Sequence, residues 1–342
     1  LSERPEVELV GVAAHHRNPP PEHWQPPIVV RQLALPRAAL YESWHYLRRP
    51  RVESATGSVD VIHATGVAMP PRTRPVVLTM HDLAYLDYPE FFTRQGLRFF
   101  HRALDLALRD ASLVLCSSLA TLERCRSVGF EDGRLRHVPL GVRSTRVRPE
   151  DVARARRELA LPECFVLWTG TFEPRKNLVG LLQAFSLLDA DASLVLVGPR
   201  GWNEDIERRL RELPAPKRDR VRLLGWVAHR DLEAVYAAAT VVCYPSLLEG
   251  FGFPVVEAMA QGTPVVTSRG TSTEELVEGG AGVVVDPHRP EEIAAALGSI
   301  LEDAALAERL SEAGIRRAAE YTWARTAELT AAAYEEAARA AC

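Results

Sequence analysis

Short apolar runs alternating with helical patterns along the whole chain limit its fold more narrowly than any other feature. VELVGVA, PPIVV, VDVIHA, PVVLTM, SLVLCSS and LRHVPLG read as strands in the first half, with ALYESWHYL, FFTRQGLRFFHRALDLALRD and ATLERCRSVG as helices. FVLWTG, SLVLVG, VRLLGW, TVVCYPS, TPVVTS and AGVVVDP repeat the rhythm in the second half. NLVGLLQAFSLL, EDIERRLREL, DLEAVYAAA and PEEIAAALGSIL lie between these strands. Near-continuous apolar strands separated by helices predict parallel sheets covered on both faces. Two such sets predict an α/β chain of two doubly wound, Rossmann-like domains facing a cleft. A length of 342 residues agrees, since domains run to about 150 residues each. The polar, proline-interrupted GVRSTRVRPED holds the boundary. The expected division is 1–148, 149–322 and a terminal helix over 323–342.

Composition narrows the classes. With 47% hydrophobic and 25% charged residues, the chain has the make-up of a soluble globular protein. It contains no apolar run of 18 residues and no charged-then-apolar leader, so the expected location is the cytoplasm. Cys116, Cys125, Cys164, Cys243 and Cys342 are scattered without CxxC spacing, which fits a reducing compartment and argues against structural zinc. Residues 1–150 hold 20 Arg and 16 acidic residues (+4), and the remainder 21 basic and 29 acidic (−8), giving the net −4. That is far from a nucleic-acid binder. Of 41 basic residues only Lys176 and Lys217 are lysine. A lysine that survives such drift is a candidate for needing a compact ammonium. Lys217, in PAPKRDR, reads as an exposed loop residue.

Open parallel sheets bind ligands beyond the carboxyl ends of their strands. That rule selects Thr79-Met80-His81-Asp82, Thr169-Gly170-Thr171, Gly198-Pro199-Arg200 and Tyr244-Pro245-Ser246. In TGTFEPRKN, Arg175 and Lys176 stand just before a helix, where the free N–H groups already favour an anion. A diphosphate suits that place. In LLEGFGFPVVEAMAQG, Glu249 lies on a loop, Pro254 is set to be the first helical residue, and Glu257 falls about one turn into the helix. Gly250 and Gly252 would let the backbone approach a ligand closely. The two carboxylates cannot share a helix face, so they address different parts of one elongated ligand. Each can accept two hydroxyl hydrogen bonds, as a sugar diol offers. An exposed helix glutamate and a turn glutamate remain an equal reading from physics alone.

LLEGFGFPVVEAMAQGTPVV, TGTFEPRKN and PVVLTMHDL together resemble retaining glycosyltransferases of the GT-B fold, family 4, from about residue 7 to the end. The resemblance implies catalytic roles for His81 and Glu249. Glu249 would hold the hydroxyls of the transferred sugar, and His81 would sit close to that sugar across the cleft. Arg175, Lys176 and Gly170 would bind the donor diphosphate. Gly250, Phe251 and Gly252 would meet the sugar or phosphate with backbone, Glu257 would bind the ribose, and Val227 would contact the base. It also implies no cofactor and no metal, the donor being a nucleotide-diphosphate sugar. Asp189-Ala190-Asp191, a metal-holding pattern in other glycosyltransferases, falls at the amino end of SLVLVG and reads as a turn. His15, His16 and His23 sit around a proline-rich loop without metal-ligand spacing. Arg94, Arg98 and Arg102 form a helical stripe that reads as a solvated face, with weak contact to anionic lipid as the sharper alternative.

Two departures stand out. The strand, glycine-rich loop and helix with which the family opens have no counterpart before VELVGVA, so the first sheet is expected to lack a strand and upstream residues to be missing. Thr171 stands where many relatives carry arginine. The expectation is a retaining, metal-independent hexosyltransferase moving a hexose, mannose first, to a saccharide or lipid-linked acceptor in cell-surface polysaccharide or glycolipid assembly. The alternatives are a GT-B nucleotide-sugar epimerase and a non-catalytic or truncated sugar-nucleotide-binding protein.

Overall fold

The computed structural model describes residues 1–18, 25–143, 145–202 and 205–340; His23 and Cys342 lie outside them. The chain forms two units, Leu1–Pro139 with Ala324–Cys342, and Leu140–Trp323.

In the first unit β1 (Val10–Ala13) and β2 (Val29–Gln32) pair in parallel with each other alone, Val10 opposite Val29. A separate parallel sheet runs in the order β3 (Ile62–Ala64), β4 (Val76–Met80), β5 (Ala111–Cys116), β6 (Leu135–His137). One sheet is expected from the sequence and two are found. The physical reason lies in β2, which is exposed along its whole length and ends in Arg31 and Gln32. It lacks the apolar faces that a covered inner strand requires.

Alternation along β4 builds two cores. Val76, Leu78 and Met80 pack with Leu106 and Ala107 of the helix Arg94–Asp110. Val77, with Leu113, Leu115 and Val138, packs with Ala333 and Ala337 of the terminal helix Trp323–Arg339. ALYESWHYL does not form one regular helix. An α-helical stretch, Arg37–Glu42, widens into a π-type turn over Ser43–Leu47 and stops at Arg48, whose backbone is left-handed (φ 55°). The arginine stripe divides as well. Arg94 and Arg98 are exposed, whereas Arg102 donates to the His45 carbonyl and lies 5.7 Å from the Tyr46 ring centroid.

The second unit holds one six-stranded parallel sheet made from β7 (Phe165–Thr169), β8 (Ser193–Val197), β9 (Val221–Gly225), β10 (Val241–Tyr244), β11 (Val265–Ser268) and β12 (Val283–Val285). Its order is β12-β11-β10-β7-β8-β9. The chain winds outward from β7 to β9, then returns to the other side of β7 as β10. This is the dinucleotide-fold order, and its switch point lies between β7 and β10. β7, β10 and β11 are buried at every residue, which is why they read as unbroken apolar runs. Lys217 is not on an exposed loop. It belongs to a short helix, Ala215–Arg218, bonds the Leu188 carbonyl and stands 5.3 Å from the Phe185 ring centroid. Burial, then the nearby Arg220 charge, lower its pKa.

Candidate active site

The switch point opens between the chain leaving β7 and the chain leaving β10. The first segment turns through Pro174–Lys176 and enters the helix Leu178–Leu187. The second passes Glu249–Gly252 and enters the helix Phe253–Gln261. Two helix N-termini therefore flank the site, each with unpaired N–H groups that favour an anion.

Asn177 clamps the two segments together. Its left-handed backbone (φ 53°) is one that asparagine tolerates, and its side-chain oxygen caps Gly180 N–H. Its amide nitrogen donates to the carbonyls of Pro245 at 3.0 Å and Pro287 at 2.7 Å. Close approach of backbone completes the turn. A Cβ on Gly198, after β8, would lie 1.8 Å from the Gly170 carbonyl oxygen, so only glycine fits there.

Arg175, Lys176 and Glu249 are brought together. The Lys176 ammonium donates to Glu249 Oε1 at 2.7 Å and to the Tyr244 hydroxyl at 2.7 Å; that hydroxyl in turn donates to Glu249 Oε1 at 3.0 Å. Arg175 reaches Glu173 at 2.9 Å, the Leu248 carbonyl at 3.2 Å and Glu249 Oε2 at 3.7 Å. Glu249 is buried rather than standing on an open loop, at 8% exposure. Burial alone would raise its pKa, but the Lys176 and Arg175 charges outweigh it and hold the carboxyl below its ordinary range. Two cations facing two buried carboxylates, Glu173 and Glu249, form a neutral, pre-ordered set. Burial and then the Glu249 charge push the Tyr244 phenol well up, so it stays protonated and donates.

The second glutamate has its own tyrosine. Tyr236, fully buried, hydrogen-bonds the Glu257 carboxylate and lies 2.7 Å from Thr169 Oγ1, at the end of β7 beside Gly170. Glu257 is the fifth residue of its helix, and Pro254 is the second rather than the first. Gly252 serves its own turn. It has φ 104°, and a Cβ there would meet Thr273 Cγ2 at 2.4 Å. Ser272 Oγ donates to the Glu249 and Phe251 carbonyls at 2.9 and 3.0 Å, which holds the loop from below. Gly250 carries no such left-handed strain.

Val227 is half-buried against the core, just after β9. Beside it lies a cavity of about 400 Å³ lined by Pro199, Arg200, Leu223 and Trp226, with Trp226 71% exposed. Asp191 pairs with Arg220 at 2.8 Å before the amino end of β8, at the other edge of the sheet from Lys176. His81, in the first unit, is exposed at the carboxyl end of β4. Its Nε2 donates to the Thr65 carbonyl at 3.2 Å, and its own carbonyl accepts from Thr121 Oγ1 at 3.1 Å. Tyr236 and Glu173 escaped the sequence reading, and Tyr244 is selected there only by its place at a strand's carboxyl end, not as the partner of Lys176 and Glu249. Each sits inside an apolar or turn pattern that carries no mark of a polar partner.

Residues 150–317 match the family model of glycosyl transferases group 1, and residues 3–146 that of glycosyltransferase family 4. The chain is 33% identical over 283 residues to the O-antigen chain mannosyltransferase B of Escherichia coli, covering 80% of this chain and 74% of that one. The protein is a family 4 glycosyltransferase. A second relative of this glycosyltransferase, MMP alpha-(1->4)-mannosyltransferase of Mycolicibacterium hassiacum, is 30% identical, with 85% and 74% of the two chains covered. Among solved structures, Anabaena HepE in complex with UDP-glucose superposes with a TM-score of 0.70 at 24% identity, covering 87% of this chain and 80% of that one. That likeness shows the GT-B fold.

Proposed function

We propose that this glycosyltransferase moves mannose from GDP-mannose to a saccharide or lipid-linked acceptor in cell-surface polysaccharide or glycolipid assembly, retaining the anomeric configuration and needing no metal. The observation that carries the reading is the Lys176–Glu249–Tyr244 cluster, seated between two helix N-termini at the switch point of the second sheet. The names of the two mannosyltransferase relatives favour the sugar.

Chemistry follows from charge. A donor diphosphate brings negative charge to a set whose cations are already oriented, and cleavage of the sugar–phosphate bond concentrates more charge on the leaving oxygen. Arg175, Lys176 and the helix N-termini stabilise that growing charge without reorganising. They do the work for which other enzymes use a divalent cation. Glu249 has a second oxygen to accept sugar hydroxyls, and Glu257 accepts those of the ribose. The acceptor hydroxyl attacks the anomeric carbon on the face the diphosphate leaves, the bond to the diphosphate oxygen breaks, and a phosphate oxygen takes the hydroxyl proton. His81 is assigned to the transferred sugar and tested by its own substitution to alanine.

The test is GDP release from GDP-mannose, against UDP-glucose and ADP-glucose, with mannosides and lipid-linked saccharides as acceptors. The expected result is GDP-mannose consumption, an α-linked product by proton NMR, and unchanged rate in EDTA. Turnover confined to another sugar nucleotide, a β-linked product, or loss of rate in EDTA would each remove the corresponding part.

A further inference from the structure

The first unit contains a cavity of about 510 Å³ at the amino edge of its four-stranded sheet, lined by Arg72, Arg74, Arg109 and Arg134. Four guanidiniums on one cavity are unusual unless carboxylates match them, and here they do not. Among the described residues the ion pairs at this place converge on Asp110 alone, which Arg109 meets at 2.7 Å and Arg48 at 2.8 Å. Arg72 and Arg74 are exposed and have no carboxylate within ion-pair distance among the described residues. Arg134 is held by the carbonyls of Ala107, Leu108 and Ala111 at the end of the helix Arg94–Asp110. Burial, and then the Arg72 charge, lower its pKa against the pull of Glu131. Arg109 and Arg134 thus have partners of their own, and Arg72 and Arg74 are the guanidiniums left to a ligand. The terminal helix contributes Ala337 to the wall, and Ala340 follows just beyond its end.

We propose that this cavity is a binding site for a phosphate-bearing ligand. Planar guanidiniums offer paired N–H donors that match phosphate oxygens. A volume of about 510 Å³ leaves room for a phosphate that carries a further group. The site does not belong to the chemistry at His81. Strand β4 lies between Pro75 on the cavity and His81 at the opposite edge, about 20 Å at 3.3 Å per residue. Its ligand therefore anchors or regulates. The phosphate comes either from a soluble phosphorylated compound or from a lipid headgroup. Tyr46 and Leu47 are 61% and 71% exposed beside Arg48, whose guanidinium reaches Asp110, and they make a headgroup worth a separate arm.

The experiment uses the full chain carrying Lys176→Ala, which weakens pyrophosphate at the donor site equally in both proteins compared, so that a difference between them reports on the cavity. Pyrophosphate is titrated into this protein, and into the same protein with Arg72→Ser and Arg74→Ser added; both arginines are exposed and their loss leaves the core intact. In parallel, the two proteins are sedimented with phosphatidylglycerol vesicles and with phosphatidylcholine vesicles. The expected result is that the arginine substitutions weaken one probe by about tenfold or more, as for two lost charge-assisted contacts. Weakened pyrophosphate binding identifies a soluble phosphorylated ligand. Weakened binding to phosphatidylglycerol vesicles alone identifies a headgroup. Equal behaviour of the two proteins toward both probes, including no binding by either, overturns the proposal.

Discussion

Tyr244 is where a single atom organises the donor site. Its hydroxyl accepts from Lys176 and donates to Glu249, and the ring lies under the ammonium at 5.3 Å. Tyr244→Phe removes that oxygen and keeps the packing. It should leave the fold intact while weakening nucleotide binding by about 1–2 kcal/mol, near tenfold in Kd, because a charged pair loses a buried partner. Calorimetry on the phenylalanine variant checks this, and unchanged affinity would exclude the positioning role. The two lysines teach what composition can reveal. Their rarity marked both, and both ammoniums do sit over an aromatic ring. Only Lys176 stands at a strand's carboxyl end among carboxylates; Lys217 secures a helix to the Leu188 carbonyl. Lys217→Ala should cost about 1 kcal/mol of stability in urea unfolding and leave nucleotide affinity unchanged.

At the scale of elements, the strands were legible because an inner parallel strand is apolar on both faces and reads as one run. The motif loops were legible because each follows such a run. What stayed hidden was assembled from several places. The separate β1–β2 sheet depends on which neighbours β2 fails to find, and the arginine-lined cavity draws on the loop before β4, the end of the helix Arg94–Asp110, the turn before β6 and the last residues of the chain. Glycine positions show the same limit. Gly250 and Gly252 invite a ligand-approach reading, and the sequence does not show that Gly252 is also required by Thr273 or Gly198 by Gly170. Gly198→Ala places a methyl carbon against the Gly170 carbonyl and forces the β7 and β8 loops apart. A loss of roughly 2–4 kcal/mol in stability, with donor affinity falling alongside, is expected from thermal unfolding and calorimetry.

Across the whole molecule, the terminal helix returns to the first unit and is stitched there by His63. The imidazole Nδ1 lies 2.6 Å from the Tyr334 hydroxyl and Nε2 lies 2.8 Å from Thr79 Oγ1. Burial, then the His81 charge, push His63 down to about 4 from 6.5. A histidine that folds neutral binds fewer protons than when unfolded, so stability rises with pH between about 4 and 6.5 and is complete above that window. Through His63 alone, acidifying from pH 7 to pH 5 should therefore cost about 2 kcal/mol. Burial also holds His45 down to about 4 and lowers His137, so both add to the loss in wild type. His63→Gln should remove only the His63 share, about 2 kcal/mol, in urea melts, and an identical slope in the two proteins would contradict the assignment.

The central claim, that Lys176 and its partners bind a nucleotide diphosphate, is tested most directly by titrating GDP, UDP and ADP into wild type and Lys176→Ala. The account predicts micromolar binding of one nucleotide, GDP first, weakened in the variant by roughly 1.5–3 kcal/mol. Equal affinity of the two proteins for every nucleotide, or no binding by wild type, would contradict it.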